Sequence, residues 1–174
     1  MAAIDYRSLI REVPDFPKPG ILFYDITTLL KNADAVRSLA DDLAGRYRTQ
    51  RITKVVGIES RGFILAGIMA ARTGAGFVPV PKPGKLPADC YEVKYSLENG
   101  SNSLAIHRDA IGMGERVLIV DDLLATGGTA EATVNLVRLL GGDIAGLDFL
   151  VELKSLNGRD KLAGYEVHST VLYP

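Results

Sequence analysis

Two adjacent acids, Asp121 and Asp122, stand between an apolar run, Val117 to Val120, and a run of small residues, Ala125-Thr-Gly-Gly-Thr129. That order fits a definite chemistry. A continuous apolar run is expected of a central parallel strand covered on both faces, and ligands of open α/β sheets collect where such strands end. Ala125, Thr126, Gly127, Gly128 and Thr129 are small and flexible enough for successive backbone N–H groups to converge on one phosphate, with Thr126 and Thr129 adding hydroxyl donors. The helix that follows contributes the positive end of its dipole. Asp121 and Asp122 would repel a phosphate but can accept hydrogen bonds from the vicinal hydroxyls of a sugar. A ribose 5-phosphate has this polarity. The bland alternative is a strand, a turn and a helix in which the acids merely cap. It leaves two carboxylates near a core with nothing to pair them. No Gly-Lys-Ser/Thr follows, so the segment is not a nucleotide-triphosphate P-loop.

A second anion site is expected at Glu59-Ser60-Arg61-Gly62, which follows the apolar run 54–58 as the first follows 117–120. Arg61 supplies a planar fork suited to a diphosphate, and Ser60 and the amides around Gly62 add donors. A cation at a helix N-terminus opposes the dipole, a conflict that a bound anion would resolve. Lys82 and Lys85 lie in Pro81-Lys-Pro-Gly-Lys-Leu-Pro87, a stiff loop at the ligand end of the run 76–80. Lys85 fits a solvated loop lysine as well as an anion ligand.

The elements that must position these groups alternate. Residues 4–12 suggest a short helix, and Pro14 to Gly20 an ordered loop. Val36, Leu39, Ala40, Leu43 and Tyr47 recur at helical spacing and predict an amphipathic helix over 34–48. Strands are expected at 54–58, 76–80, 117–121, 144–152 and about 166–172, with helices at 62–72 and about 128–140. Alternation of this kind implies an α/β fold with a mostly parallel central sheet flanked by helices. Tyr91-Glu-Val-Lys-Tyr-Ser-Leu and Ser103-Leu-Ala-Ile-His-Arg flank Glu98-Asn-Gly-Ser101, a hairpin signal that makes 83–108 a candidate flexible flap.

The block Asp121-Asp-Leu-Leu-Ala-Thr-Gly-Gly-Thr129 resembles the donor-binding motif of the type I phosphoribosyltransferases, most of all their adenine-using members. Three further segments carry the resemblance across nearly the whole chain: Phe16 to Thr27, Gly57-Ile-Glu-Ser-Arg-Gly-Phe63, and Lys82 to Pro87 with Tyr95-Ser-Leu-Glu98. It implies transfer of a 5-phosphoribosyl group to adenine, a purine salvage reaction giving AMP and diphosphate, in a single domain over 1–174 with an N-terminal hood of about 30 residues. It further implies diphosphate contacts from Glu59, Ser60, Arg61, Lys82 and Lys85. Phe23 and Leu123 would sandwich the purine, and backbone groups around Leu22 and Tyr24 would read its edge, although Phe23 and Leu123 also fit plain core packing. Glu98 is the general-base candidate, with Arg61 and Lys82 steadying the leaving group; an acid at a hairpin tip can equally be solvated. Family members often differ where this chain has Tyr24, Pro81 and Asn99. Mg²⁺ is implied, bound mainly through substrate oxygens rather than protein ligands, and so is a homodimer. Rival readings are a relative acting on a 6-oxopurine and a noncatalytic sensor of the donor.

Composition narrows the classes further. At 174 residues, 47% hydrophobic and 24% charged, the chain can bury a core. A formal net charge of −1 gives no global attraction to nucleic acid or an acidic membrane, so any anion site must be local. The single cysteine, Cys90, forbids an intramolecular disulfide, and no leader or long apolar span is evident, which together suggest a cytoplasmic setting. His107 and His168 are too far apart in sequence to suggest a metal site.

Overall fold

The computed structural model describes residues 4–97 and 100–174. After a single 3-10 turn, Arg7–Leu9, the chain forms a hairpin of β1 (Arg11–Pro14) and β2 (Leu22–Asp25), followed by α1 (Thr27–Leu30) and α2 (Ala33–Tyr47). Next come β3 (Lys54–Ile58), α3 (Arg61–Thr73), β4 (Gly76–Val80), and a second hairpin of β5 (Cys90–Leu97) and β6 (Gly100–His107). β7 (Arg116–Leu124), α4 (Gly128–Leu139), β8 (Asp143–Leu153), two 3-10 turns at Lys154–Leu156 and Gly158–Leu162, and β9 (Val167–Tyr173) complete it.

Five strands pair in the order β4-β3-β7-β8-β9, all parallel. The chain adds β4 on one side of β3 and β7 on the other. A crevice therefore opens between the carboxyl ends of β3 and β7, the topological switch point where open sheets bind ligands. The sheet is covered on both faces, as the apolar strands require. Leu118 and Val120 of β7 pack with α2 and α3, through Leu39, Leu43, Leu65 and Met69. Val117 and Ile119 pack with α4 and the second hairpin, through Val134, Leu136, Leu104 and Ile106.

Local signals explain the helices nearest the site. Asn32 caps α2 by accepting from the amides of Asp34 and Ala35, and the buried stripe Ala35, Leu39, Ala40, Leu43, Tyr47 follows at helical spacing. α3 ends at Gly74, whose φ of +73° is the left-handed turn that stops a helix. At the far end of α2, Arg46 and the Tyr47 hydroxyl both donate to the buried carboxylate of Asp148 on β8, tying the helix to the sheet.

Two expectations are corrected. Residues 4–12 form no α-helix: one 3-10 turn is followed by β1, whose residues pair with β2 from Arg11↔Asp25 to Pro14↔Leu22. Antiparallel pairing with a strand further along the chain overrides the local helical spacing, and Arg11 adds an ion pair to Asp25 at 3.2 Å. The strand expected at 117–121 runs on through Leu124, so Asp122 belongs to it as Asp121 does, rather than following it. The expected hairpin in 83–108 is present as β5 and β6, in register from Cys90↔His107 to Leu97↔Gly100. Its tip residues Glu98 and Asn99 lie outside the described residues.

Candidate active site

The carboxyl ends of β3 and β7 carry the two expected anion loops, and the structure sets them side by side. A cleft of about 330 Å³ is lined by Glu59, Arg61 and Lys82, by the run Asp121–Ala130, and by Tyr95, Asn102 and Leu104 of the hairpin. It thus gathers residues from four distant stretches of sequence. A larger hollow of about 480 Å³ lies at the start of β3, lined by Arg48, Arg51 and Arg72 among others. It has none of the expected groups, Arg72 is already paired with Asp41, and α2 and α3 bring their carbonyl ends there, which disfavours an anion.

β7 presents its two acids differently. Each is 7% exposed. Asp122 is held by an ion pair from Arg61 Nε. Asp121 accepts the Asp122 amide at 2.9 Å and lies against the first turn of α3. A Cβ placed on Gly62 would come within 2.5 Å of Asp121 Oδ1, so only glycine lets the helix start this close to the acid. Arg61 has a second contact, its guanidinium carbon lying 5.1 Å from the centre of the Phe23 ring. One arginine therefore links the acid strand to the N-terminal hairpin. Glu59 and Ser60 are joined by a cis peptide at the turn between β3 and α3. Glu59 accepts the backbone N–H of Lys82, which fastens the end of β3 to the loop after β4.

The loop 125–129 closes the other side. Gly127 has φ +78° and caps α4, whose first residue is Gly128. Residues 125–129 all line the cleft, so the unpaired amides of a helix start lie at its edge, as an anion site there requires. Beneath the loop lies Gly158. A Cβ on Gly127 would come 2.3 Å from the carbonyl oxygen of Gly158, and a Cβ on Gly158 2.2 Å from that of Ala125. The two segments pack backbone against backbone. The Gly158 turn is itself fixed by Arg159, which forks onto Glu152 at 2.8 and 2.7 Å and donates to the Val167 carbonyl at 2.8 Å.

Not every expected residue reaches the cleft. Leu123 lines it and packs against the α2–α3 cluster. Phe23 meets the site through Arg61 and stacks edge-on with Phe16 at 5.1 Å. Tyr24 turns toward β9 and lies 3.9 Å from the Tyr173 ring, while Leu22 is exposed. Ser60 and Lys85 are exposed and do not border the cleft. Tyr95, Asn102 and Gly158 received no role in the sequence reading. The first two could have been found from the alternation of the hairpin, since they share parity with its apolar positions; nothing in the local sequence marks Gly158 as the support of a loop thirty residues away.

Burial is the main reason the Asp121 carboxyl is pushed well above the ordinary range, and the charge of Asp122 adds to it. The folded protein then binds a proton more tightly than the unfolded chain does. The contribution of Asp121 to stability is full below the usual carboxylate pKa and is lost as pH rises toward the raised value. Asp121→Asn is expected to flatten that fall, seen as a thermal midpoint that changes less with pH than wild type; an unchanged profile would contradict the assignment.

Known proteins resemble this chain over nearly its whole length. A profile of the phosphoribosyl transferase domain matches residues 25–170. Adenine phosphoribosyltransferase of Solibacter usitatus is 57% identical over 169 residues, 97% of this chain and 98% of the relative. Among solved structures, adenine phosphoribosyltransferase of Thermoanaerobacter pseudethanolicus superposes with a TM-score of 0.94 at 48% identity, covering 97% of this chain and 98% of the other. That of Saccharomyces cerevisiae, complexed with an imino-altritol bisphosphate and adenine, gives 0.90 at 37% identity, covering 95% and 96%.

Proposed function

The chain belongs to the adenine phosphoribosyltransferases of the phosphoribosyltransferase family, and on that premise we propose how its cleft performs their reaction. The enzyme transfers the 5-phosphoribosyl group from 5-phospho-α-D-ribose 1-diphosphate to adenine, giving AMP and diphosphate, a step of purine salvage. The observation that carries the assignment of parts is the single cleft joining Asp121 and Asp122, the loop 125–129, and Arg61 with Lys82.

The C1–O bond to diphosphate breaks ahead of the bond from adenine N9 to C1. Positive charge grows on the sugar and negative charge on the leaving group. Catalysis is then mainly positioning and electrostatics in a preorganised site. Residues 125–129 and the start of α4 anchor the 5-phosphate. Asp121 and Asp122 accept from the ribose hydroxyls and place two carboxylates near the charge that develops on the ring. Arg61 spends its Nε on Asp122, which leaves its terminal N–H groups for the diphosphate, with Lys82 beside it. Leu123 and Phe23 flank the base, and the backbone at Leu22 and Tyr24 reads its edge. The proton of adenine N9 goes to a base on the hairpin, for which Glu98 is the candidate.

Mg²⁺ would enter this cleft mainly on the substrate. The carboxylates Glu59, Asp121 and Asp122 that line the cleft would be the protein groups nearest to it, and the ion would supply positive charge to offset that of the diphosphate. A homodimer is supported by the exposed apolar residues Ile64 on α3 and Phe77 on the edge strand β4, at 48% and 41% exposure. The whole chain acts as one catalytic domain, with the β1–β2 hairpin as hood and the β5–β6 hairpin as flap. It acts on small molecules in the cytoplasm; no described helix is long and apolar enough to cross a membrane.

The test is diphosphate release from the donor and Mg²⁺ with adenine, hypoxanthine, guanine and xanthine in parallel. Release with adenine alone is expected. Release with a 6-oxopurine in place of adenine would overturn the base assignment, and donor binding without release would make the protein a sensor.

A further inference from the structure

The inward face of the β5–β6 hairpin is a ladder of cross-strand pairs. Tyr91 pairs with Ile106 and Val93 with Leu104, and all four pack with the cluster on the α4 side of the sheet. Residues two apart on a strand point the same way, so the next pair on this face is Tyr95 with Asn102. There the Tyr95 ring still packs against that cluster, Asn102 brings an amide in place of an apolar side chain, and both residues border the cleft. Their positions along it differ. Tyr95 shares a second hollow with Gly128, the first residue of α4, whereas Asn102 lies three residues before Ala105, whose N–H donates at 2.9 Å to the carbonyl of Pro81, the neighbour of Lys82.

An amide at the end of an apolar ladder adds nothing to packing, and a phenol there can pack its ring while its hydroxyl reaches out. Two polar groups pointed into a cleft built for phosphates have one chemistry open to them. We propose that Tyr95 and Asn102 hydrogen-bond the bound phosphoribosyl donor, the Tyr95 hydroxyl at its 5-phosphate end and the Asn102 amide at its diphosphate end. The hairpin is then a third wall of the donor site, alongside the loops after β3 and β7. Adenine is not part of the contact, so the pair contributes to donor affinity and not to base affinity.

The proposal rests on the function assigned above, and its test separates the two. Tyr95→Phe keeps the ring and loses the hydroxyl. Asn102→Leu nearly conserves size and extends the apolar ladder, so a packing role would survive it. Calorimetric binding of the phosphoribosyl donor with Mg²⁺ to the full chain needs no turnover, and KM for donor and for adenine are measured separately. A hydrogen bond to a charged group corresponds to about a tenfold change in affinity. Each variant is expected to weaken donor binding and raise the donor KM by about that factor, with the adenine KM unchanged and the thermal midpoint not lowered. Wild-type donor affinity in either variant overturns the proposal, as does a loss shared equally between donor and adenine. Absence of diphosphate release by the wild type with adenine would instead overturn the assigned function, leaving the donor-binding result to stand or fall alone.

Discussion

Arg61→Ala lowers kcat by about a hundredfold to a thousandfold, the loss seen when a preorganised donor to developing negative charge is removed, while the donor KM rises much less. The split follows from what Arg61 touches. Its Nε holds Asp122, its guanidinium carbon lies over the Phe23 ring, and the residue lines the cleft. Charge on the diphosphate grows as the C1–O bond breaks, so the arginine matters more in the transition state than in the bound donor. Removing it also frees the Asp122 carboxylate, which is 7% exposed and would sit near the ribose without its partner. Asp122→Asn separates the two contributions. It keeps shape and loses charge, so it should weaken donor binding by about tenfold while leaving Arg61 in place to serve the leaving group. Arg61→Lys should recover little of the loss, because an ammonium cannot hold Asp122, lie over Phe23 and fork onto a diphosphate together. Steady-state kinetics with both substrates varied decides it. Near-wild-type kcat for Arg61→Ala would remove the arginine from the leaving-group role.

How far the site could be read in advance depends on how far its causes are local. β3 and β4 fall at 54–58 and 76–80 as expected, since each is a short apolar run bounded by polar or small residues. The helix at 4–12 failed because β1 is made by its partner β2, a relation that spacing within nine residues does not carry. The end of β7 was missed for a related reason. Charge normally marks the end of a buried strand, yet pairing continues past the acids, with Asp121 beside Phe149 and Leu123 beside Val151. The acids can sit on a buried strand because Arg61 and the Asp122 amide come to them from nearby. The positions of the loop 125–129 and the Arg61 turn at strand ends were legible because each follows its strand closely. Tyr95 and Asn102 required the hairpin to be folded over the cleft, and Gly158 required a turn after β8 to be placed under a loop after β7.

Gly158 carries the other large expected effect, although it touches no substrate. A Cβ there would lie 2.2 Å from the Ala125 carbonyl oxygen and 2.9 Å from Leu124 Cδ1. A flexible side chain could yield, but the nearer obstacle is the backbone of the phosphate loop. Arg159, locked to Glu152 and the Val167 carbonyl, keeps the Gly158 turn from retreating. In Gly158→Ala the loop 125–129 must therefore move, and by the better part of an ångström if the contact is to become normal. A displacement of about 1 Å in a positioning group can cost about a hundredfold in rate. The loss in kcat/KM is expected to fall on the donor side, with the adenine KM unchanged, because only the phosphate cradle shifts. Overpacking should also lower stability by about 1–3 kcal/mol, so donor kinetics are measured well below the thermal midpoint. Gly45→Ala in α2 is the matching control: nothing lies within 4 Å of its Cβ position, and alanine in a helix interior should raise stability by about 0.5–1 kcal/mol with activity untouched. If Gly158→Ala binds donor as tightly as that control, the loop is held by its own glycines and the turn after β8 is only its neighbour.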